Sequence, residues 1–239
     1  MKFSYITFIF FLFFSTNVLA TSYLTQNEIA DIVSFLPLPP KENSHEFTND
    51  KLQYEWGKTI RNSTRGKQAI EDANKTPSYI AKIFSQVSKT NISPKTTPIT
   101  YNLIQNISDT TRIASIKAKS HFYRQRPFVF FKEKTPLPQF EKKYIKNSSY
   151  PSGHTLIGWI NAIILAELLP ASQKAILHRG YEYGQSRVIV GYHYQTDVDT
   201  SRIIAGSLVA SLFQNPQFQQ DFNSAKQELQ NLTTPSQKP

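Results

Sequence analysis

Two histidines in this chain of 239 residues stand in surroundings that suit acid–base and nucleophilic chemistry. His154 follows Pro151-Ser152-Gly153 at the start of a long apolar segment, and His193 stands four residues before Asp197. On a helical turn, a carboxylate at that spacing can accept the imidazole Nδ1 proton and leave Nε2 bare as a nucleophile. The alternative is a buried histidine paired with an acid for structure, and the pair alone does not distinguish the two.

Three cations lie in the same stretches of sequence and are candidates for binding an anion. Lys119 and Arg126 are seven residues apart, so they share a face if their segment is helical. Arg187 carries a fork of N–H donors that suits phosphate oxygens. A solvated basic surface is the alternative for Lys119 and Arg126.

The segment Ser152-Gly153 offers a second kind of anion-binding group, the backbone amides at the start of a helix. The first turn of a helix has unpaired N–H groups and a positive dipole end. Gly153 lets the backbone approach a ligand closely, and His154 can exchange a proton near neutral pH. The alternative for Ser152 is an ordinary helix cap.

These residues fall into three motifs, which are Lys-x6-Arg-Pro at 119–127, Pro-Ser-Gly-His at 151–154 and Ser-Arg-x5-His-x3-Asp at 186–197. In this order they resemble the tripartite signature of the type 2 phosphatidic acid phosphatase (PAP2) superfamily, which includes vanadium haloperoxidases. The match holds at every fixed position, and the three motifs together are far more specific than any one of them.

A closer resemblance is to the bacterial class A nonspecific acid phosphatases. It rests on Ser149–Thr155, Arg179–Glu182, Gly191–His193 with Asp197–Asp199, Leu36–Pro40 and the region from Arg61 to Asn74. The similarity therefore covers nearly all of the chain after residue 20. Ser148, Val190 and Tyr194 replace the glycine, cysteine and tryptophan that are common in that family, and none of them is at a catalytic position.

The resemblance implies a nonspecific acid phosphatase that needs no metal or other cofactor. Its substrates would be phosphate monoesters such as nucleotides, sugar phosphates and aryl phosphates, with phosphotransfer to other alcohols as a further reaction. Lys119, Arg126 and Arg187 would clamp the phosphoryl oxygens, and amides near Ser152 and Gly153 would complete the cradle. Relatives of this kind form homo-oligomers, so a homo-oligomer is expected.

The resemblance also assigns the covalent chemistry. His193 would attack phosphorus to form a phosphohistidine, and Asp197 would fix its tautomer. His154 would protonate the leaving alcohol and then activate water. We expect activity to survive chelators, and an acidic optimum if His154 must be protonated while Asp197 stays ionised.

Three other functions are compatible with parts of this pattern. A vanadate-dependent haloperoxidase shares the anion cradle, although such proteins are generally much larger. A lipid phosphatase of the same superfamily is a second alternative. Its integral-membrane members need several spanning helices, which this sequence lacks, so the form left open is a soluble enzyme that acts on lipid head groups. A non-catalytic phosphate-binding protein is the third alternative. It would need the cations but not His154, His193 and Asp197 together, so the joint presence of these three residues argues against it.

Helices must position these residues, because apolar residues recur at helical spacing and no alternating run indicates a strand. We predict an all-α, single-domain bundle around a buried central helix, His154–Leu169, which is apolar nearly all round. Prolines make Phe35–Pro40 either an extended arm on the body or a loose leader, and Lys132–Ser149 reads as a connecting loop. The other predicted helices are Leu24–Ile32, Asp50–Ala73 with a break at Gly57 and a second candidate break at Gly66, Pro77–Val87, Thr100–Gln125, Ala171–Ile189, Asp199–Phe213 and Gln217–Leu232.

Residues 1–20 have the pattern of a cleaved signal peptide. Lys2 precedes the apolar run Phe3–Phe14, and Val18-Leu19-Ala20 is a small-residue cleavage site. A membrane anchor is the alternative, but the run is shorter than the roughly 20 residues that span a bilayer. We expect residues 21–239 to form one PAP2-type domain without an integral-membrane segment, either periplasmic or secreted.

The composition narrows the function classes further. The chain has no cysteine, which excludes thiol catalysis, thiolate metal sites and disulfides. Its formal net charge is +10. A positive field attracts phosphorylated substrates. Nucleic-acid binding is disfavoured, because the lysines and arginines are scattered and do not form a stripe with interleaved aromatics.

Overall fold

The computed structural model describes residues 22–233, and every regular element within that range is helical. This confirms the all-α prediction for the described part of the chain. The predicted signal peptide and residues 234–239 lie outside the described residues. The helices are α1 Gln26–Ser34, α2 His45–Thr59, α3 Thr64–Glu71, α4 Pro77–Ser88, α5 Pro98–His121, α6 Pro127–Phe130, α7 Pro138–Tyr144, α8 Gly153–Leu168, α9 Gln173–Ile189, α10 Gln195–Leu212 and α11 Pro216–Thr233.

Helix α8 lies at the centre of the bundle, as its apolar sequence predicts. It packs most extensively on α9, and α10 and α5 cover further sides of it. Leu156, Ile160 and Ile164 are completely buried on it. A helix enclosed on several sides is held rigidly, so its N-terminal end is a firm base for the residues of the Pro-Ser-Gly-His motif.

The prediction of helix breaks at Gly57 and Gly66 is wrong, because both glycines lie inside helices, α2 and α3. The break falls between these helices, where the Ser63 hydroxyl accepts a hydrogen bond from the Gly66 amide at 3.2 Å and so caps α3. A Cβ atom on Gly66 would lie 2.0 Å from the Arg61 carbonyl oxygen. Gly66 therefore permits the close turn before α3.

Helix α5 ends at His121, four residues earlier than predicted, because Phe122 leaves the helix in an extended conformation and is buried. The chain then pairs with the segment before α8. The Arg124 amide donates to the Ser148 hydroxyl at 3.2 Å, and the Ser149 amide donates to the Arg124 carbonyl at 2.9 Å. Arg126 therefore lies beyond the helix, so the condition under which it would share a helical face with Lys119 is not met.

Two further boundaries differ from the prediction. The segment Lys132–Ser149 contains α7, whose start is fixed by Glu141 accepting from the amide and hydroxyl of Thr135 at 2.8 and 2.9 Å. Helix α10 begins at Gln195 and not at Asp199, because the Asp197 carboxylate accepts from the Tyr194 amide at 2.9 Å and caps the first turn. Asp197 is thus part of α10, and His193 precedes it.

The proline-rich segment Phe35–Pro40 lies on the body, which decides between its two alternatives. Leu36 is buried, and the Tyr150 hydroxyl donates to the Pro37 carbonyl at 2.7 Å. Tyr150 in turn precedes the Pro-Ser-Gly-His motif. Among the helices of residues 22–233, none is both long and apolar enough to span a bilayer.

Candidate active site

A cavity of about 250 Å³ opens at the N-terminal end of α8 and collects most of the predicted site residues. Its lining includes Lys119, Arg126, Gly153, His154, Arg187 and His193. Ser152 and Asp197 are fully buried and do not line the cavity. A wider groove of about 630 Å³ between Pro40 and Tyr123 contains none of the predicted site residues.

His193 is buried and is held in one tautomer by its neighbours. Its Nε2 lies 3.2 Å from Nη1 of Arg126. A guanidinium can only donate, so Nε2 must offer its lone pair and the proton of the neutral ring must be on Nδ1. Nδ1 lies 3.4 Å from Oδ2 of Asp197, which is ion-pair reach without good hydrogen-bond alignment. The ring nitrogen that faces the cations is thus the unprotonated one.

The pKa of His193 is well below its usual 6.5, chiefly because the ring is buried and also because Arg126 is close. The contact with Asp197 opposes these effects without cancelling them. The ring is therefore neutral in mildly acidic solution. A neutral imidazole with a free lone pair on Nε2 is the form that can act as a nucleophile.

The Asp197 carboxylate is ionised and fixed on both oxygens. Burial by itself would raise its pKa, but the contact with His193 and the charge of Arg124 lower the pKa to about 2. Oδ1 accepts from Nη1 of Arg124 at 2.7 Å, and Oδ2 accepts from the Tyr194 amide. The carboxylate is thus held with Oδ2 toward His193.

Arg124 and Asp50 belong to this network and were not identified from the sequence. Nη2 of Arg124 donates to Oδ2 of Asp50 at 2.6 Å, so one buried guanidinium bridges two buried carboxylates. Asp50 also accepts from the amide and hydroxyl of Thr196 at 2.8 and 2.6 Å. Arg124 stacks on the Tyr194 ring, with 3.9 Å between its Cζ and the ring centre. The only available signal was the place of Arg124 between Lys119 and Pro127.

Lys119 and Arg126 meet at one carbonyl group although they lie in different elements. The Ser148 carbonyl accepts from Nζ of Lys119 at 2.7 Å and from Nη2 of Arg126 at 3.0 Å. Lys119 also donates to the carbonyl of Pro151 at 2.6 Å. Burial and the neighbouring Arg126 hold the pKa of Lys119 well below 10.5, and burial lowers the pKa of Arg126 to about 10. An anion between them would be strongly stabilised.

Arg187 is a buried cation whose guanidinium donates no hydrogen bond within the described part of the chain. Its Nε and Nη1 are both buried and unpartnered among those residues, and its Cζ lies 5.1 Å from the Tyr192 ring centre. Leaving a buried donor unpaired costs about 1–3 kcal/mol, and more for a charged group. The side chain lines the cavity beside both histidines, so its donors are available to an anion there.

His154 is oriented by the backbone before α4. Its Nε2 lies 2.9 Å from the Ala73 carbonyl oxygen, which can only accept, so Nε2 carries a proton and Nδ1 is the nitrogen that titrates. Burial and then the charge of Arg187 lower the pKa of His154 well below 6.5. An anion near Arg187 would offset that charge and favour the protonated ring.

The start of α8 combines a helix cap with free amides. The Ser152 hydroxyl accepts from the Thr155 amide at 3.3 Å, and the Ser152 amide donates to the Asp197 carbonyl at 3.1 Å. The Gly153 and His154 amides have no acceptor among the described residues. These two amides, and not that of Ser152, are therefore available to an anion. Ser152 caps the helix and ties it to α10.

Within residues 22–233, no group of three or more His, Cys, Asp or Glu side chains has the arrangement of a metal site. The charged groups that line the cavity are cations and histidines. This arrangement of charges can receive a multiply charged anion and can place it against a neutral imidazole.

Comparison with known proteins gives consistent matches. The family model described as the PAP2 superfamily matches residues 99–221. A non-specific acid phosphatase of Providencia stuartii is 44% identical over 211 residues, which cover 88% of this chain and 85% of that protein. A non-specific acid phosphatase of Salmonella typhimurium is 41% identical, with 82% and 78% covered. An acid phosphatase of Zymomonas mobilis is 31% identical, with 88% and 80% covered.

Proposed function

This chain belongs to the non-specific acid phosphatases of the PAP2 superfamily, and from that membership we propose that it hydrolyses phosphate monoesters through a phosphohistidine on His193. One observation carries the proposal furthest. The unpartnered guanidinium of Arg187 lines the same cavity as the bare Nε2 of His193 and as His154. Anion binding, nucleophile and proton donor thus meet in one place.

Binding of the phosphoryl group is the task of the cations and the helix end. Lys119, Arg126 and Arg187 neutralise its oxygens, and the Gly153 and His154 amides donate to it. The hydrogen bond from Arg126 to Nε2 of His193 gives way to one from Arg126 to a phosphoryl oxygen. The lone pair of Nε2 is then free to face phosphorus.

In the first chemical step, Nε2 of His193 forms a bond to phosphorus as the bond from phosphorus to the alcohol oxygen breaks. Asp197 stabilises the positive charge that develops on the ring. Nδ1 of protonated His154 gives its proton to the leaving oxygen, so the alcohol departs neutral. The fixed cations balance the charge on the equatorial oxygens throughout.

In the second step, His154 acts in the reverse sense. Its neutral Nδ1 takes a proton from water as the water oxygen bonds to phosphorus and the phosphorus–nitrogen bond breaks. Inorganic phosphate leaves, and His193 returns to its neutral form. An alcohol in place of water would give phosphotransfer.

The acidic optimum follows from the different ionisation of the three groups. His193 stays neutral in mild acid because its pKa is well below 6.5, and Asp197 stays ionised because its pKa is about 2. His154 must be protonated, and the bound phosphoryl group favours this by offsetting Arg187. Activity therefore falls as the pH rises and His154 loses its proton.

The test is hydrolysis of p-nitrophenyl phosphate at about pH 6, near the histidine pKa, with a chelator present. His193→Ala should abolish turnover, and a phosphoenzyme stable to an alkaline quench should form in the wild type alone. His178→Ala, which removes a largely exposed histidine of α9, is the matched control and should be fully active. A His193→Ala variant as active as the wild type would refute the mechanism, as would a strictly alkaline pH profile. Loss of activity with chelator would refute metal independence.

The proposal includes the setting of the enzyme. Residues 1–20 act as a signal peptide, and residues 21–239 form one domain that works in the periplasm or outside the cell as a homo-oligomer. The sequence pattern of the N-terminal segment supports export. Sequencing the N-terminus of the protein secreted by a bacterial host tests it, since cleavage after Ala20 leaves Thr21 first.

A further inference from the structure

The cavity holds more positive charge than a single phosphoryl group requires. Besides Lys119, Arg126 and Arg187, it is lined by Lys75, Arg112 and Lys143, and no carboxylate is among its lining residues in the described part of the chain. Like charges gathered around one cavity repel one another. The presence of this second set of cations, Lys75, Arg112 and Lys143, is therefore not explained by binding of the transferred phosphoryl group alone.

The second set differs from the first in exposure and in partners. Arg126 and Arg187 are buried, whereas Lys75, Arg112 and Lys143 are exposed at the rim. Within residues 22–233, Lys75 and Lys143 have no carboxylate within ion-pair distance, and Arg112 has only the nearby Asp109, 3.4 Å away. Lys75 and Lys143 are thus free to meet an anion that reaches the rim, and Arg112, which contacts Asp109 through Nε, keeps its two terminal nitrogens for one.

Lys75 stands on the side of the cavity where His154 acts. It follows Ala73 by two residues, and the Ala73 carbonyl binds Nε2 of His154. The backbone beside Lys75 is held firmly, because the Tyr183 hydroxyl donates to the Asn74 carbonyl at 2.7 Å. The charge of Lys75 also contributes to the lowered pKa of His154. Lys75 is therefore next to the group that protonates the leaving oxygen.

Part of the lining of the cavity is apolar and aromatic. Ile116, Ile157 and Tyr144 line the cavity together with the charged residues. The Tyr144 ring is fixed over Arg126, with 4.7 Å between its centre and Cζ of the guanidinium. Such a lining suits the carbon skeleton of a leaving group whose two ends are charged.

We propose that Lys75, Arg112 and Lys143 form a second anion subsite, which favours phosphate monoesters whose leaving group carries a further phosphate or carboxylate. This rests on the proposed function, since it takes the His154 side as the leaving-group side. The deep cations bind the phosphoryl group that is transferred, and the rim cations bind the charge that departs with the alcohol. The rim also steers such substrates toward the cavity.

The experiment compares two substrates of equal size, 4-carboxyphenyl phosphate and 4-carbamoylphenyl phosphate, which differ in one remote negative charge. The measured quantity is the ratio of their kcat/KM values in the wild type and in the Lys75→Gln/Lys143→Gln double variant. Dividing one ratio by the other removes the difference in intrinsic reactivity. We expect the preference for the carboxylate to fall about threefold to tenfold in the double variant at low salt, the effect of one or two exposed ion pairs. The preference of the wild type for the carboxylate substrate should also decrease as salt is added.

Lys226→Gln is the control for a lysine outside the cavity, because it removes one positive charge from an exposed residue of α11 that does not line the cavity. Its ratio should equal that of the wild type. An unchanged ratio in the double variant, or an equal fall in Lys226→Gln, would overturn the subsite.

A binding measurement separates failure of the subsite from failure of the proposed function. If the wild type turns over neither substrate, the proposed function fails, yet the subsite still predicts that inorganic diphosphate binds more tightly than inorganic phosphate. Calorimetry should show that advantage reduced at least threefold in the double variant, within the range of exposed ion pairs at about 1 kcal/mol. Equal advantages in the two proteins would refute the subsite by this route also.

Discussion

The Asp197 side chain is oriented by Arg124, a residue that does not line the cavity. Arg124 holds Oδ1 at 2.7 Å, which leaves Oδ2 to face His193 at 3.4 Å. The same guanidinium is shared with Asp50, whose own pKa is raised because burial outweighs the attraction of Arg124. Arg124 is thus a positioning residue, and its charge helps to keep Asp197 ionised.

Replacing Arg124 by Gln should lower kcat/KM by about a hundredfold, the effect of a misplacement of about 1 Å at a reacting group. It should also move the acid limb of the pH profile to higher pH, because Asp197 loses the positive charge that lowers its pKa. Full pH profiles with p-nitrophenyl phosphate measure both effects. Arg124→Lys, which keeps the charge, should restore the position of the limb but not all of the rate.

The matched control is Arg202→Gln, since Arg202 pairs with Asp199 on the same helix and not with Asp197. A uniform loss of rate in Arg124→Gln with an unmoved acid limb would show a merely structural role. Circular dichroism of each variant verifies that it has folded.

The sequence predicts the side chains of the three motifs better than the residues that support them from other elements. The spacing of His193 and Asp197 already places a carboxylate beside an imidazole. Arg124 could not be assigned in the same way, because its partner Asp50 is 74 residues away and nothing local marks either residue as buried. Burial of a charge is decided by tertiary packing, which a short motif does not contain.

At the scale of elements, the contact between α5 and the start of α8 sets the shape of the anion site. A Cβ atom on Gly153 would lie 2.6 Å from Oγ and 3.4 Å from Cβ of Ser115. The helix end can approach α5 this closely only because residue 153 has no side chain. The free amides of Gly153 and His154 depend on that approach for their position.

Gly153→Ala should therefore lower kcat/KM by about tenfold or more through displacement of the helix end. The double variant Gly153→Ala/Ser115→Ala should recover much of the rate, because the closest contact is removed and the other is of tolerable length. Steady-state kinetics of both single variants and the double variant complete the cycle. Simple additivity of the two single effects would show that the contact does not position the helix end.

Helix boundaries were the part of the architecture that local pattern predicted least well. The periodicity of α5 continues toward Gln125, but Phe122 is drawn into the core and its ring packs against Tyr150 at 5.5 Å between centres. The extended segment then pairs with residues near Ser148. The helix ends because a distant segment competes for its residues, and that competition is invisible in the periodicity.

At the scale of the whole molecule, burial of the two cavity histidines links stability to pH. Both have a pKa below 6.5 in the folded protein, whereas the unfolded chain returns them to about 6.5. Below about pH 6.5 the unfolded chain therefore binds more protons than the folded protein. Their contribution to stability is therefore complete above about pH 6.5 and is lost as the pH falls below it toward the folded values.

We expect urea denaturation midpoints to fall between pH 7.5 and pH 5, and to fall less in a His154→Gln/His193→Gln variant. His178→Gln serves as the control and should follow the wild type. An identical pH dependence with and without the cavity histidines would contradict the linkage.

Phosphate at 100 times its Kd should raise the unfolding free energy by about 2.7 kcal/mol in the wild type.

The overall architecture was predictable because the apolar composition of α8 indicates that this helix is buried. A helix that is apolar nearly all round has to be surrounded, and α5, α9 and α10 do surround it. The arrangement of the partners around α8 was not predictable, since many helices have similar amphipathic faces. That arrangement brings Ala73, Asp50 and Arg124 to the two histidines.

The support of the two histidines spans most of the chain, and this has a consequence for how activity arises during folding. Ala73 meets His154 across 81 residues, and Asp50 meets Thr196 across 146. Contacts of such sequence separation form late, because the entropy of closing the intervening loops must be overcome first. We therefore expect a chain truncated before Asp197, which contains all three proposed anion-binding cations, to have no phosphatase activity. Phosphate release is thus expected to begin only when synthesis is nearly complete and the chain has folded.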